Sequence, residues 1–435
     1  MSTTARRVLL RAIAVGAATT LVAVTAGCSS DAGDEATASD GTVTLTYRSW
    51  IPTIDQWSAI VAEFEAENPG ITIDYQGAEG AGDYYGELDN LILAGEVPDM
   101  YGIQTGSSFD DYAEYALDTS EYASDWIDGI KPELLETTTT SDGVVAALPI
   151  LTAGSEFYLY NQSLFDELGL DKPTDYDSLV AVSKAASAAG YSPFAMGAAD
   201  AWHDVDFFVW LATQYGDGDE IYQAAAGEIP WDSDALVAAA QRWQQLFTDG
   251  VFQEGATSTT TYPSARDDYL LARKALAMPT GSWHVSATLA GNAETPGSAV
   301  ADDTLGMAPF PTIGDNEATA TSGVDYALAL SADLTGAKLE AATKFAEFLA
   351  VGGGQQIWVN TMQGFPAATG IAAELGDGES QTALDSVAAV TEALQTGTHP
   401  RKLTSDNAGL ENDLGIVLQN IANVAVAATD LATLS

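Results

Sequence analysis

The chain has 435 residues, with 15 Lys and Arg against 62 Asp and Glu, and a formal charge of −47 at neutral pH. Phosphate backbones and anionic lipid surfaces need a basic face, so no nucleic acid and no basic-patch membrane contact is expected, and a neutral or cationic ligand is favoured over an anionic one. With 46% hydrophobic residues a sizeable core can form, which excludes disorder of the whole chain, and the length allows one large domain or two to three ordinary ones.

Arg6, Arg7 and Arg11 open the chain, and Ala12 to Ala26 is apolar or small. That stretch is too short and too weakly apolar for a good membrane span and reads as an export signal. Cys28 is the only cysteine, so no intramolecular disulfide is possible. Ala26-Gly27-Cys28 resembles the lipobox of bacterial lipoproteins. The resemblance implies a signal peptide over 1–27, cleavage before Cys28 and a thioether-linked diacylglyceryl group on it. Two acyl chains anchor stably, which places the protein at the outer face of the cell membrane. Residues 28–42 then form the lipidated cysteine and a flexible tether, because SSDAGDEATASDG (29–41) has no large apolar residue.

Val43 to Tyr47 alternates as a strand does, and Trp57, Ile60, Val61 and Phe64 fall on one helical face, stopped by Asn68-Pro69-Gly70. Ile71, Ile73 and Tyr75 alternate again, Tyr84, Leu88, Leu91 and Ile92 return to helical spacing before Gly95, and Met100 to Ile103 is a short apolar run. Strand, helix, strand, helix, strand predicts a parallel sheet with right-handed crossovers, hence an α/β fold. Further on, Phe157 to Tyr160 reads as a buried strand, and Thr174-Asp175-Tyr176-Asp177 as a capping box opening a helix that runs to Gly190. Leu236 to Phe247 is a helix and Val324 to Leu330 a strand. Leu339 to Leu349 is a helix closed by the glycines at 352–354, and Leu410 to Val424 is a last amphipathic helix. Residues 256–261 and 291–303 read as loops.

The chain lacks a Gly-Lys pair, a G-x-S-x-G elbow and an H-E-x-x-H motif. With three histidines and one lipid-bound cysteine a zinc site would need carboxylates among its ligands, and the acidic turn Gly216 to Glu220 lacks the twelve-residue calcium loop and reads as a solvated turn. No metal and no cofactor is therefore expected. The 62 acids supply many carboxylate pairs, and nothing singles one out for glycoside hydrolysis.

Tryptophan is the informative residue. Aromatic faces cover the C–H faces of sugar rings while nearby polar groups take the hydroxyls. Trp283 and Trp202 each sit beside a histidine (His284, His203) in a run of small or polar residues, and they read as ligand contacts together with His203. Trp57, Trp210, Trp243 and Trp358 lie in helical runs and read as core, and Trp50 fits either reading. Asp55 caps a helix or reaches a cleft. Gln104 follows the third strand, where ligands sit in open parallel sheets. Ser155 lies where the chain changes domain. Asp325, before a returning strand, lines a site or solvates a turn.

Several segments together resemble one family. They are Trp57-x-x-Ile60-x-x-x-Phe64 with Asn68-Pro69-Gly70-Ile71, Gly95-Glu96-Val97-Pro98-Asp99, and Leu148-Pro149 through Tyr160-Asn161. Leu164-Phe165, Leu168-Gly169-Leu170, Ala277-Met278, Gly281-Ser282-Trp283, Pro309-x-Pro311, Phe345-x-x-Phe348-Leu349 and Gly364-x-Pro366 come after them in order. The chain resembles the family 1 extracellular solute-binding proteins of ABC importers, the maltose-binding-like group, from Val43 onward. The resemblance implies a two-lobe, periplasmic-binding-protein-like fold with hinge crossovers. Residues 43–150 with 323–366 would form the N-terminal lobe, and 151–322 with 367–435 the C-terminal lobe. A sugar would be held in the cleft, released unaltered and delivered to the permease transmembrane subunits by a monomeric, non-catalytic protein. Trp283 matches the family's sugar platform, whereas Gln104-Thr105-Gly106 stands where the family often has an acidic contact. The competing readings are a secreted lipoprotein glycan hydrolase and the same fold binding a non-sugar cationic solute.

Overall fold

The computed structural model describes residues 42–434 apart from 53, 79, 107, 108, 398, 406, 408 and 424–426; the side chains of residues 54, 55, 427 and 428 also lie outside the described residues. The signal segment, Cys28 and most of the tether fall outside them too. The strands of the described residues gather into two sheets.

The first sheet has seven strands. β1 (Val43–Ser49) buries Leu45, Tyr47 and Ser49, the alternate residues of one face. It pairs in parallel with β2 (Ile71–Gly77) and β3 (Met100–Ile103). The helix Ile54–Glu67 lays Trp57, Ile60 and Phe64 on one side of this sheet. There Trp57 stacks on Tyr75 at 4.4 Å, and Phe64 meets the edge of Phe345 at 4.9 Å. The helix Ala81–Ala94 closes the other side with Tyr84 and Leu88. The Pro98-Asp99 segment has a structural task. Asp99 Oδ2 accepts the Thr46 N–H (2.8 Å), and the carboxylate takes Lys338 Nζ at 2.9 Å, tying β1 to the helix Gly336–Ala350.

The expected parallel sheet is mixed. β9 (Thr321–Leu330) runs antiparallel to β3 and to β4 (Leu148–Ser155), because the chain leaves this sheet after β4 and comes back in the opposite direction. Two short strands complete the sheet: β10 (Phe365–Pro366) beside β4, and β11 (His399–Pro400) beside β9.

A single residue, Glu156, separates β4 from β5 (Phe157–Asn161), the central strand of the second sheet. There β5 lies between β7 (Ala275–Thr280) and β8 (Leu305–Pro309), with β6 (Ser192–Phe194) outside β7. The helix Ala201–Ala212 is buried at every position from His203 to Ala212. A helix apolar nearly all round belongs inside a core, and the helices Asp234–Thr248 and Leu410–Asn423 pack against it. Trp210 and Trp243 sit in this core and Trp57 and Trp358 in that of the first sheet.

The structure corrects the local reading of several segments. Residues 256–259 form a short helix inside an expected loop. The glycines at 352–354 end one helix and also open the next, Gly353–Val359. The capping box is Asp175 with Ser178, since Ser178 is the residue at the third helical position. Val424 lies outside the described residues. Among the described residues no helix is long and apolar enough to cross a membrane.

Asp204, on the 201–212 helix, is fully buried, and neither carboxyl oxygen meets a donor in hydrogen-bond geometry. Gln419 lies alongside but donates to the Ala198 carbonyl at 2.9 Å. Burial holds the Asp204 carboxyl well above the usual range. A carboxyl raised on folding contributes stability that is full below its unfolded pKa and is lost as pH rises through the folded value. Asp204→Asn removes that loss. The variant is expected to melt above the native protein at pH 8, with the difference shrinking toward pH 4; a thermal melt series across that range measures it, and a lower melting temperature at pH 8 contradicts the account.

Candidate functional site

Three aromatic rings from three segments form one wall. β7 ends at Thr280, and Gly281 leads into the 3-10 helix Ser282–Thr288. A Cβ on Gly281 would run into the Trp283 indole, so only glycine lets the ring fold back over its own turn. Trp283 Nε1 donates to Tyr262 Oη at 2.7 Å. Tyr262 Oη also lies 2.5 Å from Thr280 Oγ1 and 3.2 Å from His284 Nδ1. The Tyr262 N–H is fixed by Asp200 Oδ2 at 2.7 Å. Trp202 closes the wall, 4.8 Å from Tyr262 and 6.4 Å from Trp283 between ring centroids.

Trp202 and His203, expected in a loop, occupy the first turn of the 201–212 helix. His203 stands edge-on to Tyr262 at 4.8 Å and is 1% exposed. Its ring nitrogens approach the carbonyls of Gly197 and Pro279 but make no hydrogen bond of good geometry. Burial pushes it down to about 4, so the imidazole is neutral. His284 is shifted the same way, again chiefly by burial.

Beside the wall lies a buried ionic knot. The Arg401 guanidinium lies over the Trp283 ring, 4.7 Å from its centroid. Its Nε and Nη2 donate to Asp206 Oδ2 at 2.8 and 2.6 Å, and its Nη1 donates to Asp325 Oδ1. Arg401 is 4% exposed and Asp206 1%. Asp206 also accepts Ser155 Oγ at 3.3 Å, and Lys402 Nζ stands 3.4 Å from its other oxygen. Burial alone would raise the Asp206 carboxyl, but the Arg401 and Lys402 charges more than offset it and hold it below the usual range. Glu156 behaves oppositely. Burial and then the Asp206 charge push it well up, only partly opposed by Arg401, and its Oε2 has no partner. It is therefore a neutral acid, able to donate and to accept.

The knot reaches the first sheet through Asp325, which lies inside β9 and not in a turn. Its Oδ1 also takes Gln104 Nε2 at 3.4 Å. The Gln104 N–H donates to Tyr85 Oη (2.9 Å), and Trp50 packs on Tyr85 and Tyr326 at 5.9 and 5.2 Å. Of the residues expected from sequence, Trp283 and Trp202 meet in the wall, and Ser155, Asp325 and Gln104 meet in the knot. Trp50 joins at one remove, His203 backs the wall, and the Asp55 side chain lies outside the described residues. Tyr262, Glu156, Asp206 and Arg401 escape sequence reasoning. Only Arg401 leaves a signal, as part of one of two adjacent basic pairs after Arg11.

The acidic turn at 216–220 closes on itself, with the Asp219 N–H donating to Asp217 Oδ1 at 3.0 Å. It borders a recess of about 400 Å³ that shares no residue with the wall or the knot. Among the described residues no group of three or more His, Cys, Asp or Glu side chains is placed to hold a metal ion.

A structure described for xylan utilization by the thermophilic bacterium Caldanaerobius polysaccharolyticus superposes with a TM-score of 0.76 at 21% identity, covering 90% of this chain and 98% of that one. Maltose-bound MalE3 of T. maritima superposes at 0.73 and 18%, covering 90% and 98%. These likenesses establish the two-lobe periplasmic-binding-protein-like α/β fold. In sequence, the multiple sugar-binding protein of Streptococcus mutans is 24% identical over 237 residues, 52% of this chain and 54% of that protein. The chain spans about half the length of the curated relatives it matches. The model of the bacterial extracellular solute-binding proteins matches residues 59–403, which is most of the sequence, and the chain belongs to that family.

Proposed function

We propose that the chain captures a neutral sugar, from mono- to oligosaccharide, in a cleft between its lobes and delivers it unaltered to the transmembrane permease of an ABC importer. The observation that carries this is the wall of Trp202, Tyr262 and Trp283, bordered by the neutral acid of Glu156 and the carboxylates of the knot. Ring faces desolvate the C–H faces of a sugar, and the acid and carboxylates take its hydroxyls. Relatives named for maltose, xylan and multiple sugars support the same ligand class.

The cationic-solute reading is disfavoured because the carboxylates beside Trp283 are already held by Arg401 and Lys402 and leave no unpaired anion for a cation. The hydrolase reading needs a free carboxylate beside a protonated acid. Glu156 and Asp206 have that split, but Asp206 Oδ2 is taken by Arg401 and Ser155, and Lys402 Nζ stands 3.4 Å from its Oδ1, so this carboxylate is already paired.

We place the lobes at 43–150 with 323–366 and at 151–322 with 367–435, the last stretch sending β11 and the Arg401 backbone back onto β9 of the first sheet. A ligand touching both lobes only when the cleft is closed shifts the open–closed equilibrium by that difference in affinity. The further parts of the proposal are a monomer, held outside the cell membrane through a lipid on Cys28.

A thermal-shift screen of mono-, di- and oligosaccharides beside polyamines and amino acids tests the ligand class by mass action on the folded state. A neutral sugar is expected to raise the melting temperature without being cleaved in overnight product analysis; stabilisation by polyamines alone, or turnover of the sugar, overturns it. With the sugar found, Trp283→Ala is expected to weaken binding more than tenfold in calorimetry while circular dichroism is unchanged. Unaltered affinity removes Trp283 from the site. Glu156→Gln keeps a donor and an acceptor and should bind within a few-fold of native, whereas Glu156→Ala should lose tenfold or more.

A further inference from the structure

Arg401 joins parts of the fold that lobe opening separates. Its backbone belongs to the first sheet, since its N–H donates to the Ser322 carbonyl at 3.0 Å just beyond the β11–β9 pairing. Its side chain divides between two carboxylates of different origin. Asp325 projects from β9 of the first sheet. Asp206 projects from the 201–212 helix, the centre of the second lobe's core. All three guanidinium nitrogens are engaged, and the guanidinium carbon lies 4.7 Å from the Trp283 ring centroid. Ser155, at the end of β4, and Lys402 complete the shell around Asp206. These residues gather where β4 of the first sheet passes to β5 of the second through Glu156.

We propose that Arg401 is a lobe-spanning positioning residue: it holds Asp206, Asp325 and the face of Trp283 in the closed arrangement before any sugar arrives. The proposal rests on the hinge-closure part of the functional reading. Opening moves the 201–212 helix away from β9, and a rigid planar fork cannot follow both carboxylates. One side of the knot must break, and a buried charge left without its partner is costly until water enters. Closure is therefore favoured from within, and less of the sugar's interaction energy goes into ordering the lobes.

Small-angle X-ray scattering of the sugar-free protein tests this, because no ligand is needed. Arg401→Lys keeps the charge but cannot reach both carboxylates. Asp325→Asn keeps Arg401 on Asp206 and weakens only the link to β9. Both are expected to raise the radius of gyration and the maximum dimension relative to native protein, with circular dichroism unchanged. If both fold and scatter as the native chain does, the proposal is overturned. Should Arg401→Lys fail to fold, Asp325→Asn alone decides by the same criterion. Failure of the sugar screen leaves this measurement intact, so an incorrect ligand class and an incorrect latch give different results.

Discussion

One buried guanidinium between two carboxylates holds the centre of this structure together. Removing Arg401, Asp206 and Asp325 from water carries a large desolvation cost, and buried ion pairs of this kind seldom add net stability over an apolar core of the same volume. Their value lies in geometry. A planar fork with fixed donor directions sets Asp206 of the 201–212 helix opposite Asp325 of β9, beside the Trp283 ring. In a chain with 15 basic residues against 62 acids, a cation fully enclosed beside the aromatic wall is the local exception to the global field. It makes the site unlike the surface around it.

The groups around the knot are mostly uncharged. Burial keeps His203 and His284 neutral, keeps the Tyr262 phenol from ionising, and keeps a proton on Glu156. The charged members form one network, with Arg401 on Asp206 and Asp325 and Lys402 between Asp206 and Glu411. Beside the rings stand mainly paired or uncharged donors and acceptors, which suit a polyhydroxylated neutral solute better than an ion. The helix 201–212 links wall and knot directly. Trp202 and Asp206 are four residues apart and so share a face, one contributing a ring and the other a carboxylate, while Asp204 points to the packing side. Because that helix is enclosed on all sides, neither group can drift, and a site built on such an element keeps its geometry.

Much of the fold is legible in the residues. Alternation over 43–47 and 71–75, helical spacing at Trp57, Ile60 and Phe64, and stops at Gly70 and Gly95 depend on backbone geometry and on which face meets water. Both act within a few residues of the chain. The same local logic puts Trp57, Trp210, Trp243 and Trp358 in the core and marks Trp283 after a Gly-Ser turn. It fails where distant partners decide. A helix enclosed on every side shows no polar face, so Trp202 and His203 read as a loop. The direction of β9 depends on which end of the sheet the returning chain enters, and its residues carry no mark of that. Asp325 reads as a turn or site residue, since nothing near it in sequence announces a buried arginine 76 positions on.

Periodicity, side-chain type and net charge, which are properties of short segments or of simple sums, suffice for the α/β architecture, for Trp202 and Trp283 as candidate rings of the wall and for the acidic surface. Only the tertiary structure decided that Asp206, Asp325, Glu156 and Arg401 converge, which carboxyl keeps its proton and which loses it, and that the guanidinium lies on Trp283. Those outcomes depend on burial and on charges a few ångströms away through space, and sequence separation sets neither.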